Sequence, residues 1–149
     1  MGTLNPNAMR ELRVFCDGAY RKRHMGYGFH VMENGKEIYS QSGLREPAEH
    51  NSAPRAEALA LYAAVDWLKK SGCEADKIRV YSDSQLCVRQ LSGEYQINEN
   101  TSHGEIIAAV LRLKSEFKNL VFNWIPREGN TRADYLSGYA LDQKGIHKS

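Results

Sequence analysis

Two segments of the chain end alike. Arg13-Val14-Phe15-Cys16-Asp17-Gly18 and Arg79-Val80-Tyr81-Ser82-Asp83-Ser84 each run through apolar or aromatic residues to a carboxylate followed by a small residue. The pattern reads as two buried strands, each delivering an aspartate where the strand stops. Side by side in one sheet, they present both acids at the same edge. Two further acids join them. Glu57 falls in the first turn or so of an Ala- and Leu-rich helical stretch, and Asp134 in the first turn of the last helix. Helix N-termini favour negative charge, so each alone could be an ordinary first-turn acid. Together with the strand-end aspartates they make a set that needs cations. Four unpaired carboxylates repel one another, and some take up protons. Mg²⁺ prefers hard oxygen ligands and keeps waters. Two ions about 3.5–4 Å apart can activate a water on one side and stabilise a leaving oxygen on the other. That chemistry suits cleavage of a phosphodiester. The chain offers no nucleophile elbow, P-loop, H-E-x-x-H segment or Cys/His zinc spacing to compete with it.

The elements that must position these acids follow from patterning. Leu12–Asp17 and Gly26–Glu33 read as strands. Asn34-Gly35 is a two-residue hairpin turn, and Lys36–Gly43 returns as a third strand. Pro54–Ser71 is helical, with Pro near its start and Gly72 at its end, and is apolar around most of its circumference. Lys77–Ser82 is the fourth strand and Ser84–Ser92 a short helix stopped by Gly93. Ser102-x-x-Glu105 reads as a capping box opening a helix to Lys118, with Ile106, Val110, Leu113 and Phe117 on one face. Val121–Ile125 is the fifth strand, and Asn130 or Thr131 caps a last helix running to about Lys144. A hairpin meander followed by alternating helix and strand predicts an α/β fold: a mixed sheet with helices on its faces. Ligands in such sheets collect beyond the carboxyl ends of the strands.

Length and composition fit this reading. The chain has 149 residues, 42% hydrophobic and 26% charged, with net charge +2. One domain over residues 10–145 is expected, with residues 1–9 and 146–149 as tails. The small net charge excludes a blanket polycation, so any nucleic-acid affinity must come from local patches. No apolar stretch is long enough to cross a bilayer, and the first residues lack the apolar core of a secretory signal. Cys16, Cys73 and Cys87 are odd in number and read as reduced thiols, with Cys16 and Cys87 buried; cytoplasmic residence is the expectation. Trp67 and Trp124 are expected in the core, and His30 and His103 receive no catalytic role. Tyr95 is expected to serve packing. A monomer with no obligate protein partner is the default.

At this point the chain resembles the type 1 ribonuclease H family over about Arg10 to Lys144. The resemblance rests on Phe15-Cys16-Asp17-Gly18, Gly26-Tyr27-Gly28, Arg55-Ala56-Glu57 and Ser82-Asp83-Ser84-Gln85-Leu86. It continues through Gly93-Glu94-Tyr95 and the segment from Trp124-Ile125-Pro126-Arg127-Glu128 through Asn130 and Ala133-Asp134 to Leu136-Ser137. The pattern is nearest to the archaeal and bacterial branch that lacks a basic protrusion. The resemblance implies a ribonuclease H-like fold, a five-stranded mixed sheet of order 3-2-1-4-5 with helices on both faces. It makes Asp17, Glu57, Asp83 and Asp134 the catalytic metal ligands, with two Mg²⁺ ions in the substrate complex and Mn²⁺ as an alternative. The implied activity is endonucleolytic cleavage of the RNA strand of an RNA/DNA hybrid, giving 5′-phosphate and 3′-hydroxyl ends. Substrate contacts are expected from Ser52, Gln85, Arg127 and Asn130.

Departures from the family pattern shape further expectations. Ala53 and Pro54 stand where many members carry an Asn pair that contacts the hybrid. Arg127 stands near the place of a mobile His, and a guanidinium, always charged near neutrality, cannot do general-base work there. With no basic protrusion, a weaker grip on substrate is expected. Arg21, Lys22 and Arg23, in the first hairpin, could compensate by meeting phosphates. The alternatives are a hybrid- or double-stranded-RNA-binding module with weak turnover, and a nuclease of altered specificity such as one acting on RNA duplexes.

Overall fold

The computed structural model describes residues 9–148. Its elements are β1 (Glu11–Arg21), β2 (His24–Glu33), β3 (Lys36–Arg45), α1 (Ala53–Lys70), β4 (Lys77–Ser82), α2 (Gln85–Leu91), α3 (Ser102–Lys114), β5 (Leu120–Trp124), a 3₁₀ turn at Arg127–Gly129, and α4 (Thr131–Gln143). The five strands form one sheet of order β3-β2-β1-β4-β5. β1 pairs antiparallel with β2 and parallel with β4, and β5 is parallel to β4. The expected mixed sheet and its order are therefore present.

The first hairpin is longer than its sequence announces. β1 continues past Asp17 to Arg21, and Asp17 pairs with Gly28 of β2. The turn at its tip is Lys22-Arg23, with φ of 49° and 68°. Side-chain-bearing residues rarely occupy this left-handed region, so neither gave a turn signal. The second hairpin turns at Asn34-Gly35, where φ is 52° and 76°, as the Asn-Gly pair dictates.

Alternation along β1 buries Leu12, Val14 and Cys16 beneath α1. Ala56, Leu61, Ala64 and Val65 of α1 are fully buried, which explains why apolar residues surround that helix. Phe29, Ile107 and Val110 complete the core. Trp67 stacks on Tyr39, ring centroids 4.2 Å apart, and packs against that core, partly buried. Trp124 does not: it stands at the end of the edge strand and is 46% exposed. Tyr95 is also exposed rather than packed, its hydroxyl accepting from Arg89. Two helix boundaries differ. Thr101, not Ser102, caps α3 by accepting from Gly104 N–H, and Glu105 lies 3.6 Å from Arg55 instead of closing a capping box. α3 ends at Lys114, four residues short of the expectation, because Ser115 already takes the C-cap position. At the other end the packed chain reaches beyond Gly145, since Ile146 is buried against the body. Of the tail expected over residues 1–9, all but Met9 lies outside the described residues. Among the described residues, no helix is long and apolar enough to cross a membrane.

Candidate active site

Where β1 meets β4, the parallel ladder ends at the pair Cys16 and Ser82. The next residue on each chain is an aspartate, so Asp17 and Asp83 emerge together. The strand-end reading holds for Asp83. Asp17 sits mid-strand, and what stops beside it is only the ladder to β4, because β4 gives way to α2 while β1 continues along β2.

Close backbone approach brings the other two acids in. A Cβ on Gly18 would lie 2.2 Å from the Ala56 carbonyl carbon, so only glycine lets the first turns of α1 cross β1 there. Glu57 is thereby held over the strand end. On the other face of the sheet, a Cβ on Gly28 would lie 2.5 Å from the Leu136 backbone. That contact seats α4 on β2 and sets Asp134, in its first turn, near Asp17.

The electrostatics describe a chain of four acids. Asp17 is only 7% exposed. Burial, the Asp83 charge, and a hydrogen bond with Asp134 push its pKa up to about 8, although Gly18 N–H donates to its Oδ1 at 2.9 Å. Glu57 is raised by burial and by the same Asp83, and lowered by a hydrogen bond from Ser84 and by the charge of Arg127. Asp83 thus acts on both neighbours. Among the described residues, no ion pair closes on any of the four. Many acids elsewhere on the surface are paired, as Glu37 is with Arg132 and Asp142 with Arg21. Hard oxygen donors left uncompensated and partly desolvated fit a divalent cation. Among the described residues, no three His, Cys, Asp or Glu side chains are already arranged around one point to hold an ion. The acids fit a cation by charge and donor type, and their side chains must close on it.

Asn130 binds this centre from beneath. It is 1% exposed, and its Nδ2 donates to the Cys16 carbonyl at 2.8 Å and lies 3.4 Å from Asp83 Oδ2. The substrate contact expected of it is corrected here: the side chain is buried and its Nδ2 clasps β1 and Asp83 at the start of α4, while its Oδ1 has no partner among the described residues. Its side chain does not cap α4, although it stands at the N-cap position.

The remaining expected contacts sort by exposure. Arg21 is also corrected. Its side chain is 11% exposed and pinned across the sheet to Asp142 at 2.6 Å and to the Ile146 carbonyl at 3.2 Å, which leaves it no phosphate to meet. Lys22 and Arg23 project freely from the hairpin tip. That tip is moored to the entry of α1, because Asn51 Nδ2 donates to the Arg23 and Glu46 carbonyls at 2.8 and 2.9 Å. Ser52 caps α1, its Oγ accepting from Arg55 N–H at 3.2 Å, and keeps partial exposure. Gln85, in the first turn of α2, and Arg127 are exposed. His103 Nε2 lies 3.6 Å from the buried Cys87 Sγ, in contact with none of the four acids.

A β3-β2-β1-β4-β5 sheet, with acids gathered where its two central strands part, defines a ribonuclease H-like domain. A family model described as reverse transcriptase-like matches residues 16–140, and the chain belongs to that family. Its likeness within that family is to type 1 ribonucleases H. The bifunctional protein Rv2228c of Mycobacterium tuberculosis is 33% identical over 90 residues, covering 58% of this chain. The match takes in 23% of that protein, so the chain spans about a quarter of this relative's length. The N-terminal ribonuclease H domain of the same mycobacterial protein superposes with a TM-score of 0.79 at 26% identity, covering 91% of this chain and 96% of that one. A ribonuclease H1 named LC11, solved in complex with an RNA/DNA hybrid, gives a TM-score of 0.80 at 29% identity, covering 89% of this chain and 98% of the other.

Proposed function

We propose that this chain is a divalent-metal-dependent endoribonuclease that hydrolyses the RNA strand of an RNA/DNA hybrid, leaving 5′-phosphate and 3′-hydroxyl ends. One observation supports the reading: carboxylates from β1, α1, the end of β4 and α4 act on one another in series with no ion pair on them among the described residues, and the innermost, Asp17, is raised to about 8 by burial and by its neighbours. A structural relative solved with a hybrid supports the substrate class.

Asp17, Glu57, Asp83 and Asp134 would hold Mg²⁺, with Mn²⁺ as the alternative. Bound there, the cation supplies Lewis-acid activation of water and of the scissile phosphate. The chain's own residues do the positioning. Asn130 keeps the Asp83 carboxylate beside the end of the β1–β4 ladder. Ser84 caps α2 by accepting from Cys87 N–H at 3.2 Å, and its hydroxyl counters the rise that burial gives Glu57. The charge of Arg127 counters the rise at Glu57, and its exposed guanidinium would meet a phosphate oxygen. Ser52, Gln85, Lys22 and Arg23 supply the exposed polar and basic rim for a duplex backbone.

Hydrolysis of an end-labelled hybrid in Mg²⁺, beside RNA and DNA duplexes of the same sequence, tests the proposal. It requires cleavage in the RNA strand of the hybrid that stops in EDTA. Cleavage confined to the RNA duplex, or none in any metal, contradicts it.

A further inference from the structure

Trp124 ends β5 as a large exposed apolar residue, outside the hydrophobic core. Its position is specific. Trp124 pairs with Ser82, which pairs with Cys16, and the next residues on those two strands are Asp83 and Asp17. Neighbouring strands lie about 4.8 Å apart. The Trp124 backbone is therefore one strand spacing from the β4 end and two from β1. A duplex strand advances by about 3.4 Å per nucleotide, so the indole stands within two or three nucleotides of a phosphate held at the acids. Its orientation is fixed as well. The indole N–H donates to the Asp83 carbonyl at 3.3 Å. That uses its only donor. What remains toward solvent is an aromatic face with no polar group to offer. Leu86, on the helix that starts just past the same aspartate, adds a second exposed apolar side chain.

A lone exposed apolar residue needs no explanation. A rigid indole anchored to the backbone of an active-site aspartate is a different case. We propose that Trp124 is a substrate-contacting residue whose face packs on a sugar of the bound duplex close to the cleaved linkage. Duplex bases are stacked on one another, so the apolar surface a duplex presents sideways is its sugars. With its donor committed, the indole reads no base edge, and the contact is independent of sequence. It also adds grip at a site whose basic rim is thin. The inference rests on the proposed action on a hybrid.

The experiment compares Trp124→Ala and Trp124→Phe with the parent in the full chain. It takes steady-state cleavage of a labelled hybrid in Mg²⁺ and, separately, hybrid affinity by fluorescence anisotropy in Ca²⁺. Trp124→Ala should raise KM and Kd about tenfold, the scale of one lost aromatic contact to nucleic acid, with kcat within about twofold. Trp124→Phe keeps a ring without the N–H and should stay within about threefold of the parent in KM. Circular dichroism melts confirm that both variants are folded. Unchanged KM and Kd in a folded Trp124→Ala protein overturn the inference. So does a fall in kcat at constant KM in both variants, which makes the indole a positioning group acting through Asp83. A parent that binds hybrid without cutting it contradicts the proposed function instead, and the anisotropy series then still decides the contact.

Discussion

Asp17 and the Lys22-Arg23 turn belong to one hairpin, yet they are held on opposite terms. Asp17 is buried, touched by Asp134, and backed by an asparagine with no exposed face. Lys22 and Arg23 are exposed, and the tip is moored through backbone carbonyls, that of Arg23 to Asn51 and that of Lys22 to His24. The centre stores electrostatic stress in a fixed frame. The rim offers loose charge on a docked turn. The difference teaches which changes should stop chemistry and which should only weaken the grip. A centre held by glycine contacts and a buried amide cannot yield without losing its geometry. A solvated rim loses one phosphate contact at a time.

The largest effect belongs to the centre. Asp83→Asn should lower cleavage of a hybrid by about three orders of magnitude, the several kcal/mol that metal-assisted charge stabilisation supplies. Single-turnover rates at saturating hybrid check this; a rate near the parent's would place the chemistry elsewhere. Next comes the clasp. Asn130→Ala strands the Cys16 carbonyl in the interior and frees Asp83. It should cost about 1–3 kcal/mol of stability in denaturant melts. It should also lower kcat at least tenfold with KM little changed, and raise the Mg²⁺ concentration needed for half-activation. Asn130→Ala with a raised KM and normal kcat would return Asn130 to the rim.

Gly18→Ala tests the frame itself. The added methyl meets the α1 backbone at 2.2 Å, and backbone cannot move aside as a side-chain tip can. A loss of about 1–3 kcal/mol is expected, with activity falling because Glu57 is displaced.

The stress at Asp17 has a pH signature. Its folded pKa, about 8, lies above its ordinary value of 3.8. Between those values the folded state binds more protons than the unfolded state, so stability falls as pH rises from about 4 to about 8. Without metal, Asp17→Asn should therefore melt above the parent at pH 8.5 and level with it near pH 4. Mg²⁺ should raise the parent's melting temperature at pH 8.5 more than the variant's. Equal melting curves at both pH values would remove the stress from the account.

The smallest effects are at the rim. Lys22→Ala and Arg23→Ala should each raise KM about two- to threefold and flatten the salt dependence of binding by roughly one unit per lost phosphate contact. Arg21→Ala sharpens the comparison from inside the same sequence run. It should lower stability through the lost Asp142 and Ile146 contacts, with the salt dependence unchanged.

How much of this was legible depended on whether the signal was local. The mixed sheet and the shared edge of the two aspartates follow from the strand and helix pattern and from two apolar runs ending in aspartate, the strand order came only with the family resemblance, and Asn34-Gly35 announced its hairpin. The Lys22-Arg23 turn was silent because neither residue favours the left-handed backbone it adopts. Arg21 read as part of a basic run, but strand alternation turns it inward toward α4, a tertiary fact. Trp124 read as core because its neighbours are apolar. Edge position at the end of β5 exposes it, and only the strand order reveals an edge. Asn130 resembled a substrate contact or a helix cap. Its burial required knowing that β1, β4 and α4 meet at one point. Gly18 was noted as small, and its reason became visible only with α1 across it.

The most direct test of the convergence is a crystal soaked in Mn²⁺, examined by anomalous difference density. Density bounded by carboxylate oxygens of Asp17 and Asp83, with Glu57 or Asp134 drawn in, is the predicted result. Density elsewhere on the surface, or none among the four acids at Mn²⁺ concentrations that support cleavage, would contradict the account at its root.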